Sequence, residues 1–191
     1  MPLHKIAVIG GDGIGPEVTR EACVILSALQ DSLPELKLEF TEFDWGSEYF
    51  LKTGRMMPED GLEQLKSFDA ILFGSAGSVE VPNHNTLWGL RLEICQHLDQ
   101  YANVRPSRLL PGIQSPLKNI GPAELDWVIV RENTEGEYSG AGGRVHPKLP
   151  QEVGIDVSVF TRDGIERVMR YAFKLALTRP KKQLTLVTKS N

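Results

Sequence analysis

Arg105 stands before a proline in "YANVRPSR", and Arg131 closes the apolar run of "DWVIVRENTEGEYSG". A residue before proline is held extended, and a strand end projects its side chain from rigid backbone. Guanidinium groups so placed can grip carboxylates through two parallel hydrogen bonds. Glu132, Glu135 and Glu137 follow Arg131, and then comes Tyr138. Lys189 follows another apolar run, in "LTLVTKSN". Taken singly, each of these cations reads first as a surface or ion-paired residue.

Strands and helices must position them. "KIAVI", "LKLEFTEF", "DAILFG", "DWVIVRE" and "EVGIDVSVF" read as strands from their apolar runs or alternation. "LTLVT" near the chain end reads as one more buried strand. Helical spacing predicts helices over residues 16–30, 58–68, 87–101 and 163–178. Pro16 suits a first helical turn and Glu17 suits its dipole. Strand and helix alternate at βαβ spacing, which implies an α/β fold with parallel strands. Residues 138–154 lack clear periodicity and read as a long loop or a protruding arm.

"GGDGIGPE" lies between the first strand and the first helix. It is not the dinucleotide fingerprint G-x-G-x-x-G, because Pro16 occupies the place of the third glycine. It is either a tight structural turn or a turn whose amides face an anion. The chain has 191 residues, 41% hydrophobic and 24% charged, enough for a sizeable core. Its net charge of -4 argues against a general nucleic-acid or membrane-surface binder. Cys23 and Cys95 are the only cysteines and form no CxxC, a pattern of reducing compartments. With no long apolar run, the expectation is a cytoplasmic protein without signal peptide or membrane span.

Together, "GDGIGPE", "NVRP", "VRENTEGEYSG" and "TKSN" resemble, in this order, the NAD-dependent β-decarboxylating dehydrogenases, the family of isocitrate, 3-isopropylmalate and tartrate/D-malate dehydrogenases. "GRMMPEDGLEQLKSFDAILFG", "LWGL", "DQYANVRP" and "RYAFKLA" resemble the tartrate/D-malate branch most. The resemblance implies an α/β, isopropylmalate dehydrogenase-like two-domain fold, not a Rossmann fold, incomplete in this chain. Residues 1–100 would be the N-terminal part of the larger, cofactor-side domain. Residues 101–191 would begin the smaller substrate and dimerisation domain, with an arm at about 138–158. It further implies oxidative decarboxylation of a 2-hydroxy diacid such as D-malate or tartrate, with isocitrate or 3-isopropylmalate, or an inactive fragment, as alternatives. NAD and Mg2+ or Mn2+ would be the cofactors, with metal ligands expected beyond Asn191. By resemblance Lys189 deprotonates the hydroxyl from the partner subunit of a homodimer, and Tyr138 protonates the enolate. Arg105 and Arg131 hold carboxylates, while Ile14, Gly74 and Asn83 face the cofactor.

One departure bears on substrate choice. Many relatives carry an arginine where this chain has Cys95, and isopropylmalate enzymes carry an apolar residue where it has Arg91. Arg91 and Cys95 are four apart, one helical turn. Either Arg91 supplies the cation from one turn away, or it faces solvent and Cys95 is packed as a small hydrophobe.

Overall fold

The computed structural model describes residues 2–122 and 124–188. The chain divides into two compact units between Leu98 and Asp99.

The first unit is a parallel βαβ arrangement. Strand β1 (Leu3–Gly11) lies between β2 (Lys37–Phe43) and β3 (Ala70–Ser75), both parallel to it. Helix α1 (Gly15–Ser32) makes the first crossover. Helices α2 (Ser47–Thr53) and α3 (Gly61–Leu65) precede β3. Ala7 and Ile9 on β1 are fully buried, among Trp45, Met56, Met57, Leu65, Val81, Leu90 and Ile94. Phe43 stacks tilted on Trp45 with ring centroids 4.4 Å apart. Full burial of such side chains contributes about 1.5–3 kcal/mol each. Leu90 is fully enclosed, so Leu90→Ala should cost about 2–5 kcal/mol.

The fourth helical segment differs from the expected 87–101. It begins earlier, as α4 (Asn83–Thr86), continues through a π-turn over Leu87–Arg91, and finishes as α5 (Leu92–His97). Pro82 starts it and fixes the entry. Asp99, at φ +48, turns the backbone left-handed and ends it before Tyr101.

In the second unit the parallel expectation fails. Strands β4 (Ala102–Arg108) and β5 (Asp126–Glu132) pair antiparallel, as do β6 (Gly136–Val145) and β7 (Val153–Val159). Among the described residues no helix lies between 102 and 161, so no helical crossover returns a strand in parallel. The stretch read as loop or arm is therefore a hairpin. Its glycines hid the alternation: a Cβ on Gly142 would sit 2.3 Å from the Ile155 carbonyl oxygen. Gly140 at φ +68 lies within the register shift between Gly136 and Ala141. Helix α6 (Arg162–Thr178) follows and packs on β5.

The expected buried strand at 184–188 is absent. Leu184, Leu186 and Val187 are 45%, 77% and 88% exposed, with no regular structure. A strand needs a neighbour to take its backbone hydrogen bonds, and the described residues pair none with it. No helix among the described residues is long and apolar enough to cross a membrane.

Candidate active site

Asn103 and Arg131 are direct cross-strand partners, and Arg105 pairs with Ile129. Opposed residues share a face and strand side chains alternate faces. Arg105 and Arg131 thus stand diagonally on one face of the β4–β5 ribbon, with Trp127 and Ile129, each 51% exposed. Asparagines join the two cations. Arg105 Nε donates to Asn103 Oδ1 at 2.9 Å, and Asn103 Nδ2 donates to Asn133 Oδ1 at 3.2 Å. Arg131 Nη2 reaches the same Asn133 oxygen at 3.5 Å, and Asn133 Nδ2 donates to the Gln100 carbonyl at 3.2 Å. Asn133 is buried.

Tyr138 belongs to the same cluster. The Arg131 guanidinium lies over its ring, 5.2 Å from the centroid, a cation–π contact. Arg131 Nε is buried and finds no acceptor among the described residues. Such a donor is costly to leave unpaired, and the open face beside Arg105 is where an anionic group could enter.

The turn between β5 and β6 is built from the rest of "RENTEGEYSG". The Glu132 carboxylate accepts from the Thr134 N–H at 2.9 Å, the Thr134 hydroxyl at 2.8 Å and the Glu135 N–H at 2.6 Å. The Glu135 carboxylate accepts from the Thr161 N–H at 2.9 Å and hydroxyl at 2.5 Å. Thr161 in turn caps α6, accepting from the Gly164 N–H at 3.0 Å. These Thr161 bonds hold the Glu135 carboxyl below its ordinary range, with Arg167 adding to the effect. The Glu135 carbonyl accepts from the Tyr138 N–H at 3.2 Å. Arg167 ties the assembly down: it pairs with Asp99 at 2.6 Å, donates to the Thr134 hydroxyl at 3.0 Å and lies 4.7 Å from the Tyr101 ring centroid. Sequence reasoning assigned no part to Asn103, Asn133, Glu135, Thr161 or Arg167.

Four candidates, Ile14, Gly74, Asn83 and Arg91, lie in the first unit around one glycine turn and the helical segment. Ile14 is 70% exposed on the turn. Gly13 and Gly77, both at positive φ, have nothing within 4 Å of where a Cβ would be. Gly74 is different, because a Cβ there would meet Gly10 O at 2.3 Å and Gly15 Cα at 2.8 Å. Its glycine identity is accounted for by strand–helix packing. The Asp12 N–H is taken by the Ser75 carbonyl and the Gly15 N–H by the Asp12 carbonyl, which favours the tight-turn reading over an anion cradle. Asn83 is exposed at the start of α4. Arg91, half-buried, ends the π-turn, and Cys95 is buried one α-turn later. Such π-turns often mark functional positions. Lys189 lies outside the described residues.

Residues 5–191 match the family model of isocitrate/isopropylmalate dehydrogenase. The chain belongs to that family. A probable tartrate dehydrogenase/decarboxylase of Agrobacterium vitis is 62% identical over 191 residues, covering 100% of this chain and 53% of that protein. The decarboxylating D-malate dehydrogenase of Escherichia coli (strain K12) is 49% identical over 193 residues, with 100% and 53% covered. The crystal structure of isocitrate dehydrogenase from Methylococcus capsulatus superimposes with a TM-score of 0.73 at 29% identity, covering 92% of this chain and 48% of that one. This member of the isocitrate/isopropylmalate dehydrogenase family thus has its family's α/β fold and spans about half the length of the curated relatives it matches.

Proposed function

We propose that this chain is part of an NAD-dependent enzyme that oxidatively decarboxylates a 2-hydroxy diacid of the D-malate or tartrate class. The observation that carries the reading is the cluster in which Asn103 and Asn133 link Arg105 to Arg131 and the Arg131 guanidinium lies over the Tyr138 ring, two cations of a type suited to carboxylates beside a phenol. The 62% identity to a probable tartrate dehydrogenase/decarboxylase supports the substrate class.

Each residue then has a task. Arg105 and Arg131 bind the diacid and orient it, converting a bimolecular encounter into a positioned reaction. Lys189 accepts the proton of the substrate hydroxyl, reaching in from the partner subunit of a homodimer. Tyr138 hands a proton to the enolate carbon left when carbon dioxide departs. Arg91 holds a further carboxylate in place of the arginine missing at Cys95.

NAD fits the first unit on one observation: Gly13 and Gly77 leave bare backbone open beside the exposed Ile14, where a flat ring can approach closely. When bound, its nicotinamide takes up the hydride. Ile14, the Gly74 strand end and Asn83 are the residues facing it in this reading. The resemblance also implies Mg2+ or Mn2+. Among the described residues no group of three or more His, Cys, Asp or Glu side chains could hold a metal ion, and no step is assigned to one.

The test is a panel of D-malate, tartrate, isocitrate and 3-isopropylmalate with NAD and manganese, followed by NADH absorbance on the full-length protein. Turnover of D-malate or tartrate above the other two is expected. Turnover of none of the four overturns the reading.

A further inference from the structure

We infer that Asp12 is a positioning residue that locks the cofactor-facing loops of the first unit into one arrangement. The inference rests on the dinucleotide reading of that unit.

Asp12 is only 6% exposed, yet among the described residues no cation pairs with its carboxylate. Its two oxygens accept instead from two loops distant in sequence. Oδ1 accepts from the Ser47 N–H at 2.6 Å, at the start of α2. Oδ2 accepts from the Gly77 N–H at 2.8 Å, in the loop after β3. The Asp12 main chain makes further links: its N–H donates to the Ser75 carbonyl at 2.7 Å, and its carbonyl accepts from the Gly15 N–H and the Ser75 hydroxyl. One residue thereby joins the glycine turn, α2 and the post-β3 loop. A buried carboxylate is tolerated only where such donors replace its water.

The geometry leaves little room for adjustment. A Cβ on Gly11 would lie 1.9 Å from the Ser75 carbonyl oxygen, and one on Gly46 would lie 2.9 Å from Asp12 Oδ1. Glycine is required at both places for the backbone to close around the carboxylate. The exposed Ile14 and the open Gly13 and Gly77 are within two residues of these anchors, or are anchors themselves. Their relative placement, which a flat ring lying on both loops would sense, is therefore set by Asp12. Asparagine has nearly the same shape but presents an NH2 to one of the two N–H donors. It can satisfy one loop and not both.

Asp12→Asn in the full-length protein separates positioning from mere stability. Amide exchange at Ser47 or Gly77 should quicken about tenfold or more. The NAD dissociation constant and KM should rise about tenfold, with kcat within about threefold of wild type. Leu65→Val, a core change in α3, should lower Tm without moving the NAD constants. If Asp12→Asn does not fold, Ser75→Ala, which removes only the hydroxyl link, should raise the NAD constants about two- to fivefold. Unchanged exchange at both amides, or faster exchange with unchanged NAD affinity, overturns the inference, as does an unmoved constant in Ser75→Ala when that variant carries the test. Wild-type protein that binds no NAD overturns the dinucleotide reading instead, and the exchange rates then still decide whether Asp12 holds the two loops.

Discussion

The guanidinium of Arg131 lies across the ring of Tyr138, 5.2 Å from its centroid, while its Nη2 reaches toward Asn133. The stack engages the aromatic ring, which phenylalanine retains. Tyr138→Phe should therefore keep the stack, the fold and diacid binding. It should lower turnover by about 10²–10⁴-fold, the usual worth of a general acid, and release the decarboxylated product as its enol. Tm, diacid affinity and product ratio check this, and unchanged kcat removes Tyr138 from proton delivery.

Arg131→Lys keeps the charge but loses the planar fork. Loss of one charge-assisted contact, about 1.5–3 kcal/mol, should lower kcat/KM for diacids about 10- to 100-fold. Steady-state kinetics with D-malate measure it, and a fall under threefold means no bidentate grip.

Lys189→Ala should block oxidation of the hydroxy acid itself, unlike Tyr138→Phe, which fails after decarboxylation. If each site takes its lysine from the neighbouring subunit, mixing the two inactive variants restores activity after subunit exchange. Demonstrated exchange with activity still at the single-variant level rejects the shared site.

Arg91→Leu tests the relocated cation. It should lower kcat/KM for diacids about 10- to 100-fold, and adding Cys95→Arg should recover part of it and shift preference toward alkyl-substituted malates. If Arg91→Leu stays within twofold for every diacid, Arg91 does not hold substrate.

Glu135 gives a pH signature. Its hydrogen bonds from Thr161 lower its carboxyl value in the folded chain. A depressed acid stabilises the fold above its unfolded value, and the contribution is lost as pH falls through the folded one. Asp126 behaves alike, held low by Arg179 first and then Arg108. Acidification from pH 7 toward 3 should thus loosen the α6 ends from the β5–β6 turn and from β5. Glu135→Gln should lower Tm at pH 7 and flatten its fall on the acid side. A parallel Tm curve for the variant contradicts this account.

The first unit was largely legible in the sequence, because β1, β2 and β3 carry apolar runs and α1 has helical spacing with Pro16 at its start. Helix α2 was not, being seven residues long and fixed by an acceptor 35 residues away, Asp12. In the second unit glycines at 140, 142 and 143 erased the strand pattern of β6, since a residue without a side chain cannot show alternation. The 184–188 run was read as buried because residue type reports what a segment would bury, not what covers it. Arg105, Arg131 and Tyr138 stood out by type. Asn103 and Asn133 did not, because an amide linking two cations is defined only by which strand faces which.

All seven residues of β7 are exposed, and Val153, Ile155, Val157 and Val159 are each 40% exposed or more. A two-stranded ribbon is marginal by itself in water, and each free edge can template a further strand. During synthesis this ribbon leaves the ribosome before α6 does. From then until something covers it, the nascent chain carries a sticky tape clasped near its tip by Arg144 with Glu152. Production of the protein is thus a race between covering and clumping, and crowding many unfinished chains together favours clumping. Slower synthesis at lower temperature should raise the soluble yield more than any change at the arginines that bind substrate.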